Sequence, residues 1–99
     1  MNPDEIDHVM AYDLAVDMVT KAGFVLHHAA PKSESCYYAH PSKSPLLFRI
    51  SRHKSPYPLG AYDVTARVSF TYRETSLTRQ RVAERVMLAI GRYFISEVT

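Results

Sequence analysis

The stretch Tyr62-Asp63-Val64-Thr65-Ala66-Arg67-Val68-Ser69-Phe70-Thr71-Tyr72-Arg73 decides the fold class. Tyr62, Val64, Ala66, Val68, Phe70 and Tyr72 alternate with polar or charged residues without a break. That is the period-two signature of a strand with one face in a core and the other in water. The lead-in, His53-Lys54-Ser55-Pro56-Tyr57-Pro58-Leu59-Gly60, holds two prolines and a glycine and reads as a loop. Upstream, Phe24 to His28, Ser35 to Ala39 and Leu46 to Ser51 read as three further strands. Pro, Ser and Lys separate them at spacings that suit hairpins.

The strands are bracketed by helical periodicity. Asn2-Pro3-Asp4-Glu5 has the composition of a helix opening: Asn2 as cap, Pro3 at the first position, and Glu5 able to reach back. The helix is predicted over Pro3 to Ala22, with Ile6, Met10, Leu14 and Met18 as its apolar stripe, Val9 beside them, and Gly23 as its left-handed stop. Thr75-Ser76 offers a cap for a second helix from Leu77 to Ser96, whose apolar face is Val82, Val86, Ile90, Tyr93 and Phe94. The predicted fold is α+β: a two-layer sandwich of order α-β-β-β-β-α, with an antiparallel sheet and both helices on one face.

At 99 residues the chain is one domain spanning 1–99, and 46% hydrophobic with 22% charged residues excludes a disordered or coiled-coil chain. No apolar run approaches membrane-spanning length, and the acidic N-terminus is unlike a signal peptide, so a cytoplasmic protein with no membrane partner is expected. The single cysteine, Cys36, makes no internal disulfide and no cysteine-rich metal site.

Charge is unevenly placed. Residues 1–30 carry Asp4, Glu5, Asp7, Asp13 and Asp17 against Lys21 alone, whereas the rest of the chain carries eleven Lys and Arg against five acids. No acid lies between Glu34 and Asp63, where Lys43, Arg49, Arg52 and Lys54 fall among His40, His53, Tyr37, Tyr38, Phe48 and Tyr57. Cations that neutralise phosphates, interleaved with rings that stack on bases, suit RNA or single-stranded DNA; the ordinary alternative is half-buried aromatics beside a solvated edge. On the second helix Arg81, Arg85 and Arg92 line up opposite the apolar face, with Arg79 near its start. This is either a phosphate-tracking stripe or the solvated side of an amphipathic helix.

The histidines point less clearly to chemistry. His27 and His28 are neighbours on a strand, which directs their side chains to opposite faces. His28, Cys36 and His40 lack carboxylate support for a metal, so no metal or cofactor is expected. Ser35 or Cys36 with His28 or His53, and Glu34 as the nearby acid, is a nucleophilic trio of the kind chance produces. Gly23, Gly60 and Gly91 form no phosphate-binding loop.

The segment Lys21-Ala22-Gly23-Phe24-Val25-Leu26, followed by Ser33-Glu34-Ser35-Cys36-Tyr37-Tyr38-Ala39-His40-Pro41, resembles the core of HicA-type toxins, whose fold is similar to the double-stranded-RNA-binding domain. The resemblance covers roughly residues 10–52. It implies a helix ending in Gly-Phe at the first strand and a Gly-Ser-His motif opening the second. Here the catalytic histidine of that pattern falls at Ser35 and its Gly-Ser at Ser33-Glu34, so the ribonuclease residue is missing and acid–base cleavage of RNA has no evident agent.

These readings give a leading expectation of a non-catalytic nucleic-acid-binding module, RNA in type. Its contacts would be Lys32, Lys43, Arg49, Arg52, Lys54, Arg79, Arg81 and Arg85, with Tyr37 or Tyr57 stacking. The alternative is a regulator or inhibitor that docks on a protein, of the kind encoded by phages and mobile elements, including anti-CRISPR proteins. It would use the acidic face of the first helix at Asp4, Asp7, Asp13 and Asp17. A residual nuclease using His28 or His40 is a third reading. An exposed edge strand would also let two copies pair into a homodimer.

Overall fold

The computed structural model describes residues 3–52 and 64–97. Its order is α1 (His8–Lys21), β1 (Val25–Ala30), a 3-10 turn (Pro31–Ser33), β2 (Ser35–Ala39), β3 (Phe48–Ser51), β4 (Ala66–Ser69) and α2 (Arg79–Ile95). The α-β-β-β-β-α order is the expected one. The sheet runs β1-β2-β3-β4, and α1 packs on α2 and β3 while α2 packs on β4, giving a helix layer on a sheet layer.

The sheet is mixed rather than wholly antiparallel. β1–β2 and β2–β3 are antiparallel, but β3 and β4 run parallel, pairing Phe48 with Ala66 and Ile50 with Val68. The chain length explains the difference. A parallel neighbour needs a connection of a dozen or more residues, and residues 52–65 supply it where a tight hairpin could not.

Burial follows the alternation. Cys36, Tyr38, Phe48, Ile50, Ala66 and Val68 join the helices in one core, and Phe70 continues the inward series just past β4. Arg67 and Ser69 face out. The predicted fourth strand nevertheless ends early. Thr71 N–H donates to Glu74 Oε2 and Glu74 N–H to the Thr71 carbonyl, closing a turn that leaves Tyr72 half exposed. Tyr62 lies outside the described residues.

Both helices begin later than the sequence predicts. In α1, Asp7 is the cap, accepting from Met10 N–H at 2.8 Å, because the residues before it pair elsewhere. Glu5 bridges Thr78, and Ile6 N–H donates to the Leu77 carbonyl at 2.9 Å. In α2, Thr78 rather than Thr75-Ser76 is the cap and accepts from Arg81 N–H. The buried stripe of α1 is also turned: Ala11, Ala15 and Val19 have no exposure, while Met10 is 42% exposed. Small side chains on the buried stripe let a helix lie close to what it packs on, here α2 and β3. Gly23 does stop α1, at φ +94°.

Aromatic rings close one end of the core. Phe24 meets Phe48, Tyr93 and Phe94 edge-on with centroids 4.8–5.7 Å apart. The Tyr93 hydroxyl donates to the Leu46 carbonyl and accepts from His40 N–H, tying α2 to the β2–β3 connection.

Candidate nucleic-acid interface

The eight nominated cations do not form one surface. Lys32 is exposed on the turn between β1 and β2. Lys43 donates to the Ser96 carbonyl at 2.9 Å, binding the end of α2. Arg52 directly follows β3, with its guanidinium 5.2 Å from the centre of the Tyr12 ring. Lys54 lies outside the described residues, as do Tyr57 and His53.

Arg49 is 4% exposed. Its Nε and Nη2 donate to Ser35 Oγ at 3.2 and 3.0 Å, and its guanidinium stands 5.8 Å from the centre of the Tyr37 ring. Tyr37 is itself buried and stacks on His28 at 4.3 Å. Alternation places Arg49, Ser35, Tyr37 and Ser51 on the sheet face away from the helices, where they make a buried polar cluster. Neither Arg49 nor Tyr37 is presented to a ligand there. Ser35, where the HicA-like pattern carries its catalytic histidine, is a buried acceptor for an arginine, with no imidazole at that position.

His27 and His28 do not diverge as regular strand neighbours. A bulge between Leu26 and His28 in the β1–β2 register brings their Nδ1 atoms to 2.6 Å. His40 is engaged elsewhere, accepting from Ser42 N–H. Among the described residues no three His, Cys, Asp or Glu side chains gather as metal ligands.

The acidic residues are likewise divided. Asp7 caps α1, Asp17 pairs with Lys21 at 2.9 Å, and the Asp4 carbonyl receives Arg79 N–H. Asp13 and Asp17 share the exposed face of α1 with Val9 and Met10.

The coherent basic surface is the seam between α2 and β4. From Val64 onward every cation is an arginine: Arg67, Arg73, Arg79, Arg81, Arg85 and Arg92, against Glu74, Glu84 and Glu97. Arg81, Arg85, Leu88 and Arg92 recur on one line along α2, spanning about 16 Å at the helical rise. This line does not oppose the core as the periodicity suggested. It flanks Val82, Val86, Ala89 and Tyr93, so it borders edge strand β4. Two open grooves lie along it. One, of about 380 Å³, is lined by Glu74, Leu77, Arg81, Glu84, Arg85 and Leu88 among others, two acids against two arginines; the second, of about 270 Å³, is lined by Arg67, Ser69, Arg85, Leu88, Ala89 and Arg92 among others, with no acid. They meet at Arg85 and Leu88.

Arg85 organises this junction. Its Nη2 pairs with Glu74 Oε1 at 2.5 Å and its guanidinium lies 5.1 Å from the centre of the Phe70 ring, so it fixes the turn after β4 against α2. Its Nη1 is shielded and finds no hydrogen-bond partner among the described residues, which leaves a donor unmet where the grooves join. Arg67 and Arg92 are exposed, and their guanidinium groups make no hydrogen bond or ion pair among the described residues. Arg67 was readable as an outward residue of the alternating stretch, but its meeting with Arg92 depends on α2 crossing β4.

No protein-family model, no curated protein and no solved structure matches this chain. Among the described residues no helix is long and apolar enough to cross a membrane.

Proposed function

We propose that this protein is a small non-catalytic module that binds nucleic acid, RNA in type, along the α2–β4 seam. The observation that carries the reading is the pair of adjoining grooves lined by Arg67, Arg81, Arg85 and Arg92. Guanidinium groups offer planar forks that match phosphate oxygens bidentately, and the exclusive use of arginine here suits that geometry. Arg67, Arg81 and Arg92 are the phosphate ligands, while Arg85 positions the turn through Glu74. Lys32, Lys43, Arg49 and Arg52 are not part of this surface.

Binding by counterion release weakens as salt rises, with a slope of roughly 0.7 to 0.9 per phosphate neutralised in a log–log plot. Three ligands therefore predict a slope between about −2 and −3 in a fluorescence titration of labelled RNA across a salt series. Affinity independent of salt, or none at micromolar protein, overturns the proposal.

The exposed face of α1 supports a second reading, a regulator that docks on a protein. Val9 and Met10, 37% and 42% exposed, lie beside Asp13 and Asp17 and give that face apolar area within an acidic rim. Charge reversal at Asp13 and Asp17 that leaves partner capture intact argues against it.

A further inference from the structure

We infer that the nucleic acid held in the seam is a single strand, with Tyr72 stacking on one of its bases; the inference rests on the nucleic-acid reading above. The phosphate ligands alone do not distinguish strands from duplexes. The difference lies in what stands beside them.

Tyr72 is the one exposed tyrosine or phenylalanine among the described residues, with half its surface open. It sits at the tip of the turn closed by Thr71 and Glu74, and Glu74 lines the larger groove. The salt bridge from Arg85 to Glu74 anchors that turn to α2, so the ring is carried two residues before a residue that lines the larger groove. Arg73 lies over the ring with its guanidinium 5.7 Å from the ring centre and its Nε 3.4 Å from the Tyr72 hydroxyl. A ring held at one face by a guanidinium leaves the other for a base, and the cation strengthens the stack.

Leu88 gives an independent indication. It is 67% exposed, yet it stands between Arg85 and Arg92 where both grooves meet. A duplex turns phosphates and sugars outward and keeps its base faces stacked inside, so it would meet neither Tyr72 nor Leu88 with matching surface. An unpaired strand exposes base faces beside its phosphates, which matches apolar and aromatic groups set among arginines. Tyr37 cannot take this role, being 2% exposed.

The test is a fluorescence anisotropy titration of wild type, Tyr72→Ala and Tyr72→Phe against a labelled oligouridine and an RNA duplex of equal length. The oligouridine should bind more tightly than the duplex. Tyr72→Ala should weaken oligouridine binding roughly tenfold, the scale of one lost base stack, and leave duplex binding unchanged. Tyr72→Phe, which keeps the ring, should stay near wild type. Duplex binding as tight as the single strand, or oligouridine binding unmoved by Tyr72→Ala, overturns the inference while the nucleic-acid reading stands. A wild-type protein that binds neither RNA removes that reading and this inference with it. Because Tyr72 is exposed, circular dichroism should show the variants folded.

Discussion

Tyr93→Phe should destabilise the fold by about 2–3 kcal/mol, although the change removes a single oxygen. Tyr93 has no exposure, and its ring packs against Phe24 at 4.8 Å and Phe94 at 5.5 Å. Phenylalanine keeps those contacts. What it removes is the hydroxyl that donates to the Leu46 carbonyl at 2.7 Å and accepts from His40 N–H at 3.0 Å. Two backbone groups then lose their partner at once, and each unmet buried group costs about 1–3 kcal/mol. The bonds are only partly buried, so water offsets some of that sum. Urea unfolding checks the value, with the slope m unchanged, since the surface exposed on unfolding is the same in both proteins. Melting should fall by about 10–20 °C for a domain of this size. A loss below about 0.5 kcal/mol, the range of an ordinary surface change, would refute the reasoning that this hydroxyl holds the β2–β3 connection to α2.

Other perturbations probe separate parts of the structure. Gly23→Ala should cost about 1–3 kcal/mol, since φ +94° strains any L side chain and an added Cβ would lie 3.0 Å from His40 Nε2. A His40→Ala background should relieve only the contact, which thermal melts of the single and double variants separate. Tyr12 is held above the usual phenol range first by burial and then by its hydrogen bond to Cys36, with Arg52 opposing. In the unfolded chain it ionises near pH 10 while the folded protein keeps the proton, so stability is intact below about pH 10 and falls as pH rises above it. Tyr12→Phe should flatten that alkaline slope in urea midpoints; an identical slope would contradict the assignment. β1 is a sheet edge with no Lys, Arg, Asp or Glu, and Val25 and Leu26 are 59% and 52% exposed. Sedimentation should show concentration-dependent self-association that Leu26→Lys abolishes.

The parts of the fold that follow from local periodicity could be read directly. β2 falls where its sequence places it, and the inward series Ala66, Val68 and Phe70 is as the alternation requires. What escaped the sequence depends on distant partners. The pairing of Glu5 and Ile6 with Leu77 and Thr78 moves both helix starts, yet it joins segments some seventy residues apart. The turned stripe of α1 escaped because alanine gives no strong apolar signal, although Ala11 and Ala15 are fully buried. The parallel β4 needed the long connection to be weighed as a crossover.

The candidate site divides in the same way. The line of Arg81, Arg85 and Arg92 is visible at helical spacing, but its junction with Arg67 exists only because α2 lies on β4. Arg49 read as a free cation because strand periodicity does not reveal that both sheet faces are buried at that point. His27 and His28 converge through a bulge that no pattern of two neighbouring histidines announces.

The most direct test of the seam compares two double variants that remove the same charge from different faces. Arg67→Gln with Arg92→Gln alters the α2–β4 groove, whereas Lys32→Gln with Arg52→Gln alters cations outside it. Each is titrated with labelled RNA across a salt series. The seam variant should bind more weakly and lose roughly 0.7 from its salt slope for each phosphate contact removed, with the other variant close to wild type. Equal weakening by both variants, or a seam variant that binds as wild type does, would contradict the assignment of nucleic acid to this surface.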